Sequence, residues 1–463
     1  MTVNLTQRTR GLRPDCLSFP EVLAQAIALI APTATASLNA PLVFSNAGNA
    51  TWLAYVLATT GIVLVSLNIN QFARHSASTG ALYVYVARGL GSTAGIICGW
   101  ALTLAYLCCC GAVVAAFAHY ASIVLAEFEV QIPVIVLYAV CVGIAGYYAY
   151  TDIQLSAVLM LIIELLVVGA IIILAFLILA KQGFSLDVEQ LQLKDATPNG
   201  ISLGMVIAIL SFVGFESTTT LGDEAKSPKR TIPQALIWSA LISGLFFILI
   251  SYVEVLGFRG YETPLNESSA PLNVLSKLVG VELLGIGLDA GIAFSFFGCA
   301  LASLNAGARI AFALARHSFF PTRLGEAHQQ NETPHVAVSI FVLVTFAIVA
   351  SLGLFGVRDV DIYSYLGTIS SYGVLCAYLL VSIAAPVYLA QQGKLKQQHL
   401  VISFLAGFFM LIPIAGSFYP VPSFPFNIFP YLFLLYLAIG GGWFIALRNR
   451  SPEIAENLKR DTE

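Results

Sequence analysis

The sequence predicts an all-α polytopic membrane protein of about twelve transmembrane helices, and three observations carry that reading. Its 463 residues are 58% hydrophobic and only 10% charged, whereas soluble globular chains are roughly a quarter charged. The apolar stretches match the roughly 20 residues of a spanning helix and far exceed the roughly 10 of a barrel strand. The polar stretches between them are about 20 to 30 residues at most, short of the roughly 40 that even a stapled mini-domain needs. No soluble domain is expected, and the work is placed within the membrane. The net charge of −3 says little about partners, and nothing points to nucleic acid or to a cofactor.

In chain order the spans fall at 20–44, 50–71, 92–124, 132–149, 153–180, 200–221, 233–256, 284–315, 335–356, 360–389, 399–419 and 427–447. The long third, fifth, eighth and tenth imply tilt or interfacial extension. No cleavable leader is expected: the first run follows a polar stretch with Arg8, Arg10 and Arg13 and is too long for a leader's apolar region. If the N-terminus is cytoplasmic and the sides alternate, 17 of the 22 basic residues lie inside, among them Arg74, Arg88, Lys226, Lys229, Arg230, Arg309, Arg316 and Arg323. Only Lys181, Lys194, Arg259, Lys277 and Arg358 lie outside. Both termini are therefore expected in the cytoplasm and the chain in the plasma membrane. The tally counts Arg309, which falls inside the eighth span.

Seven of eight cysteines, Cys98, Cys108, Cys109, Cys110, Cys141, Cys299 and Cys376, sit within spans and read as small hydrophobes. With Cys16 alone outside and no ligand spacing nearby, no metal is expected.

Two spans are interrupted. The first carries Pro32, which removes a backbone donor, followed by Thr33, Thr35, Ser37 and Asn39, whose side chains can satisfy freed backbone groups. A break across Ala31–Ala36 follows. The sixth places Gly214 and Glu216 among Ser211 and Ser217–Thr220 where hydrocarbon is expected. The two breaks open two five-span halves, 20–180 and 200–389, as in an inverted-repeat transporter. The remaining parts are a cytoplasmic segment 1–19, two further helices in 399–447 and a cytoplasmic tail 448–463. Unwound backbone at mid-membrane offers N–H groups to a carboxylate and C=O groups to an ammonium, so a zwitterion fits.

The run Gly214-Phe215-Glu216 followed by Asp223-Glu224-Ala225-Lys226-Ser227-Pro228-Lys229-Arg230-Thr231-Ile232-Pro233 resembles the sixth helix and following loop of the amino acid-polyamine-organocation (APC) superfamily permeases. Ser78–Tyr85, Gly99–Tyr106, Arg309–Arg316 with Phe320-Pro321, and Thr333-Pro334 agree with it. The resemblance covers about helices 1 to 10. It implies a leucine-transporter-like fold of two inverted five-helix repeats, with helices 1 and 6 broken, and alternating access. It further implies that the Glu216 carboxylate acts in gating and proton sensing, that Phe215 is an aromatic lid and that Tyr106 is a wall of the site. The chain departs from the family in lacking glycines across Ala31–Ala36 and in placing Glu164 where many proton-coupled members carry a lysine.

Substrate contact is expected from Ala31, Pro32, Thr33 and Ala34 and from Ser211, Phe212, Val213 and Gly214, with Tyr106 beside them and Phe215 and Glu216 gating. Glu164 sits deep in the fifth span, where a charged carboxylate is expensive and marks function by default. It and Glu216 are the proton-coupling candidates, each also able to serve only as a structural hydrogen-bonding group. Glu254 and Asp289 lie near span ends, where snorkelling to the interface is the cheaper reading. His119 reads as a satisfied bundle histidine. Ser295 and Ser303 are expected to bond their own helix backbone.

The function expected is secondary active transport of amino acids. Neutral ones are favoured because Ala105 stands beside Tyr106 where some family members place an acid. Proton symport, exchange, a polyamine or cationic substrate, and sodium at helix 1 carbonyls and helix 8 hydroxyls stay open. An intramembrane enzyme would need paired carboxylates, a Ser/His dyad or an H-E-x-x-H helix, and a channel a selectivity motif; none is present.

Overall fold

The computed structural model describes residues 14–75, 81–151 and 153–450. Residues 1–13 of the N-terminal segment, Ser78–Gly80 of the helix 2–3 motif and 451–463 of the tail lie outside the described residues, as do the basic residues within them. Among the described residues eleven helical stretches are long and apolar enough to cross a membrane; the first, Phe19–Ala73, contains both the first and second expected spans.

The first span is a chain of short pieces: α1 (Phe19–Ile30), α2 (Pro32–Ala34), a π-helical turn Thr35–Asn39 and α3 (Ala40–Ala47). Glu21 accepts the Ser18 N–H at 2.5 Å and so caps the start of α1. The second span is α4 (Thr51–Ala73). Next come α5 (Ala81–Leu90), α6 (Ser92–Glu127), α7 (Val134–Thr151), α8 (Ile153–Lys181) and the single turn α9 (Val188–Leu191). The sixth span is α10 (Pro198–Leu210), whose first turn is capped by the Thr197 hydroxyl accepting from Gly200 N–H at 3.0 Å, followed by a 3-10 segment Phe215–Leu221. The rest are α11 (Pro228–Gly257), α12 (Pro271–Leu278), α13 (Glu282–Arg316), α14 (His335–Leu354), α15 (Asp359–Gln391), α16 (Gln397–Gly416) and α17 (Phe429–Arg450).

The spans fall within a few residues of their expected limits. Three helices were not expected: α5, α9 and α12, each too short to register as an apolar window. Helix α6 is the axis of the bundle, packed along its length by α13 and α15. Small residues permit this: a Cβ on Gly373 of α15 would stand 2.6 Å from the Ala101 carbonyl oxygen and 2.8 Å from Ala105 Cβ of α6. Without a hydrophobic drive between helices in lipid, such close approach is what holds a membrane bundle. Helices α16 and α17 lie at the periphery and expose Phe404, Phe408, Leu411, Leu434, Leu435 and Ile439, an apolar surface suited to acyl chains.

Candidate functional site

Both sequence-predicted breaks exist, and they touch. At the first, Ala31 takes a left-handed conformation (φ 45°, ψ 73°), its N–H closes α1 on Ile27 O at 2.9 Å, and Pro32 then starts α2 without needing a donor. At the second, Gly214 sits at φ 109° between α10 and the 3-10 segment. Leu29 of α1 lies against it so closely that a Cβ on Gly214 would stand 2.2 Å from Leu29 Cγ. Only glycine meets both demands, the positive φ and the missing side chain.

Each break is closed by a carboxyl group of the protein itself. Glu164 reaches from α8 to the first: its Oε1 accepts the Thr33 N–H at 3.2 Å, and its Oε2 accepts the Ser295 hydroxyl of α13. The Thr33 and Ser295 hydroxyls are also hydrogen-bonded to each other, so Glu164 ties the half-helix start to α13 through a closed triangle. Glu216 closes the second: Oε2 accepts Gly214 N–H at 3.1 Å and Tyr378 O–H of α15 at 2.5 Å, while Oε1 accepts Tyr106 O–H of α6 at 2.8 Å. The amide that the sequence offers to a substrate carboxylate at Thr33 is thus occupied by Glu164.

The expected contact residues come together here. Ala31, Pro32, Thr33, Ala34, Ser211, Phe212, Val213, Gly214, Phe215 and Tyr106 are all buried. Tyr106 faces Glu216 with its hydroxyl, and Phe215 packs against the Tyr378 ring at 5.3 Å between centroids.

Two layers seal this centre. On the face carrying the N-terminus, Cys16 and Leu17 donate their N–H groups to Glu224 O at 2.8 and 2.9 Å, and Lys226 N–H returns to Leu17 O at 2.7 Å. Beneath them Arg309 Nε and Nη2 grip Glu224 Oε2 and Oε1 at 2.6 and 2.8 Å, both side chains at most 2% exposed. On the opposite face Asn39 donates to Ser211 Oγ at 3.0 Å, and Tyr363 O–H donates to Asn39 Oδ1 at 2.7 Å. The Tyr55 hydroxyl lies 3.3 Å from the same Ser211 oxygen. The conformation is closed on both sides.

Several sequence expectations are corrected. Arg309, counted among the cytoplasmic basic residues although the span limits enclose it, is buried within α13 and paired with Glu224, so it drops out of the charge tally. Ser295 bonds Glu164 rather than its own helix, whereas Ser303 does bond back to Cys299 O at 2.8 Å. Asn39 spans to α10's end instead of serving helix 1 backbone. Glu254 and Asp289 do not snorkel; they are 0% and 2% exposed, because α12 folds over the helix ends that would have opened to the interface. His119 is satisfied as expected, though at the rim, where its Nε2 lies 3.2 Å from Ser269 O. Tyr55, Tyr363 and Tyr378 were missed, since tyrosines at helical spacing read as packing.

The sequence pattern of the family described as "Amino acid permease" matches residues 21–448. The branched-chain amino acid permease BcaP of Bacillus subtilis (strain 168) is 22% identical over 372 residues, 76% of this chain and 76% of that protein. The methylthioribose transporter of the same organism is 22% identical over 432 residues, 90% of this chain and 89% of that protein. Among solved structures, MhsT in complex with L-phenylalanine superposes with a TM-score of 0.61 at 15% identity, covering 88% of this chain and 100% of that one. The architecture is therefore the leucine-transporter-like one of two inverted five-helix repeats.

Proposed function

From the premise that this chain belongs to the amino acid permease family, whose members named above are transporters and not enzymes, we propose that it carries neutral amino acids across the plasma membrane by alternating access, coupled to protons, with both termini in the cytoplasm. The substrate rests between the two breaks, against Ala31–Ala34 and Ser211–Gly214, with Tyr106 as a wall and Phe215 and Glu216 as the gate. Glu164 is the first proton carrier and Glu216 the second.

One observation carries the coupling: Glu164 accepts from Thr33 of the broken helix and from Ser295 of α13 at once. An ionised carboxylate only accepts, whereas a protonated one must place an O–H donor somewhere. The O–H can turn to Ser295 Oγ while Oε1 still accepts, so proton uptake acts through charge: it weakens the hold of Glu164 on the Thr33 amide, which can then pass to the substrate's own carboxylate. Without that step the substrate carboxylate would meet a like charge at the same N–H group.

The test is uptake into proteoliposomes with an imposed pH gradient, with and without sodium, comparing the wild type with Glu164→Gln. The expected result is gradient-driven accumulation in the wild type and its loss in the variant, with substrate exchange retained. Unchanged pH dependence in Glu164→Gln would remove Glu164 as the carrier.

A further inference from the structure

The break in the first helix divides one hydrogen bond, and each half of it is held by a different side chain. In an unbroken helix the Leu29 carbonyl would accept the Thr33 N–H. Here that amide is turned to Glu164 Oε1 at 3.2 Å, and the carbonyl instead takes the thiol of Cys299 on α13, with Sγ at 3.2 Å. The neighbouring carbonyls lose their helical donors too: Pro32 has no N–H to give Ala28, and the Ala34 N–H that would serve Ile30 goes to Ala31 O at 2.8 Å. Leu29 is also the residue against which Gly214 of the second break rests. The divided bond therefore belongs to the residue at which the two breaks meet.

The seam between α1 and α13 is short of donors. One turn toward the N-terminus, Gln25 donates Nε2 to Ala302 O at 3.1 Å, while its Oε1, in a residue 1% exposed, has no partner. Cys299 is buried, and its thiol is a weak donor. Ser303, one turn on, is engaged on Cys299 O at 2.8 Å and on Cys109 Sγ of α6 at 3.5 Å. The ionisable neighbours of Cys299 are the Cys109 and Cys110 thiols of α6, the Tyr363 phenol and the Glu164 carboxyl.

Buried acceptors need donors, and a seam with surplus acceptors beside a carboxyl fits a cationic donor rather than an anion. A hard metal ion fits it less well, because such ions take oxygen ligands and a sulfur stands at the Leu29 carbonyl. We propose that Cys299 is a specificity-determining residue: its thiol holds the Leu29 carbonyl for the ammonium group of the substrate and gives way to it. The assignment deepens the reading that an amino acid rests between the two breaks, and depends on it. Glu164 keeps the place of the substrate's carboxylate on the Thr33 amide, and Cys299 keeps the place of its amine. The substrate enters the one hydrogen bond that the break divides.

The experiment separates the two halves with leucine and phenylalanine, with leucinol and phenylalaninol, which keep the amine and lack the carboxylate, and with 4-methylpentanoate and 3-phenylpropanoate, which keep the carboxylate and lack the amine. Methyl methanethiosulfonate labels the wild type in proteoliposomes, and peptide mass follows Cys299. An amino acid or amino alcohol at about ten times its dissociation constant should slow labelling about 10-fold, whereas the two amine-free acids and sodium should leave it within about 2-fold. Cys299→Ala removes the competing donor, so the amino acid KM and the amino alcohol inhibition constant should fall about 2- to 3-fold, with those of the amine-free acids unchanged. A thiol that only packs would give no change or a loss. Where Cys299→Ala does not fold, the wild-type labelling decides alone. Protection by sodium or by an amine-free acid, labelling indifferent to both amino alcohols, or unchanged or weaker amine binding in Cys299→Ala would overturn the assignment. A wild type in which an amino alcohol protects Cys299 but no amino acid is transported would overturn the proposed function and leave Cys299 as the guard of an amine site.

Discussion

Replacing Glu224 with Gln should open the N-terminal face. The Arg309–Glu224 pair is bidentate at 2.6 and 2.8 Å with both side chains at most 2% exposed, and breaking such a pair from one side costs about 3–5 kcal/mol because a buried charge is left uncompensated. Arg309 keeps Asn305 O at 3.0 Å and Asn305 Oδ1 at 3.4 Å, which argues for the lower end, about 3 kcal/mol. The penalty applies only while the face is closed, since opening admits water to the guanidinium. Most of it therefore appears as a population shift, on the order of 100-fold at 1.4 kcal/mol per decade. The chain supplies its own reporter: Cys16 is 6% exposed and lies in the segment hydrogen-bonded to Glu224 O. Maleimide labelling of Cys16, located by peptide mass, should quicken by on the order of 100-fold in Glu224→Gln. A change below about 3-fold with an unaltered melting temperature would refute the assignment of this pair as the lock.

Two further outcomes follow from geometry at the second break and in the loop after α8. Gly214→Ala combines a left-handed backbone at φ 109° with a clash on Leu29, each worth about 1–3 kcal/mol. Thermal melting in detergent should fall, and Leu29→Ala in the same chain should restore the steric part only, so the two substitutions are not additive. In the loop, burial pushes the Asp187 carboxyl up, but hydrogen bonds from Gln190 and Arg259 and the Arg259 charge outweigh it and hold it below the usual 3.8. A depressed folded value means stabilisation that is complete above the unfolded value and lost as pH falls through the folded one. Protection of the amides in 182–199, with exchange normalised to the intrinsic rate at each pH, should therefore be high at pH 5 to 7, about one unit or more above the ordinary carboxylate range, and fall below about pH 4. Asp187→Asn should remove that pH dependence.

What the sequence made legible was local. Span positions follow from apolar length, and the breaks follow from Pro32 and Gly214, whose effects on the backbone need no partner. The partners themselves carry no local signature: Tyr378 meets Glu216 from 162 residues away and Tyr363 meets Asn39 from 324. Helix α12 escaped because eight residues with alternating polarity cannot register as a span, and missing it led to the wrong reading of Glu254 and Asp289, whose route to the interface it closes. The site looked like two stretches of bare backbone awaiting a zwitterion. It is instead a pair of breaks already stopped by Glu164 and Glu216, so that under the proposed function a substrate carboxylate competes with Glu164 for the Thr33 amide. Binding and proton uptake then become one event, and a substrate lacking a carboxylate would leave Glu164 in place and the triangle with Ser295 intact.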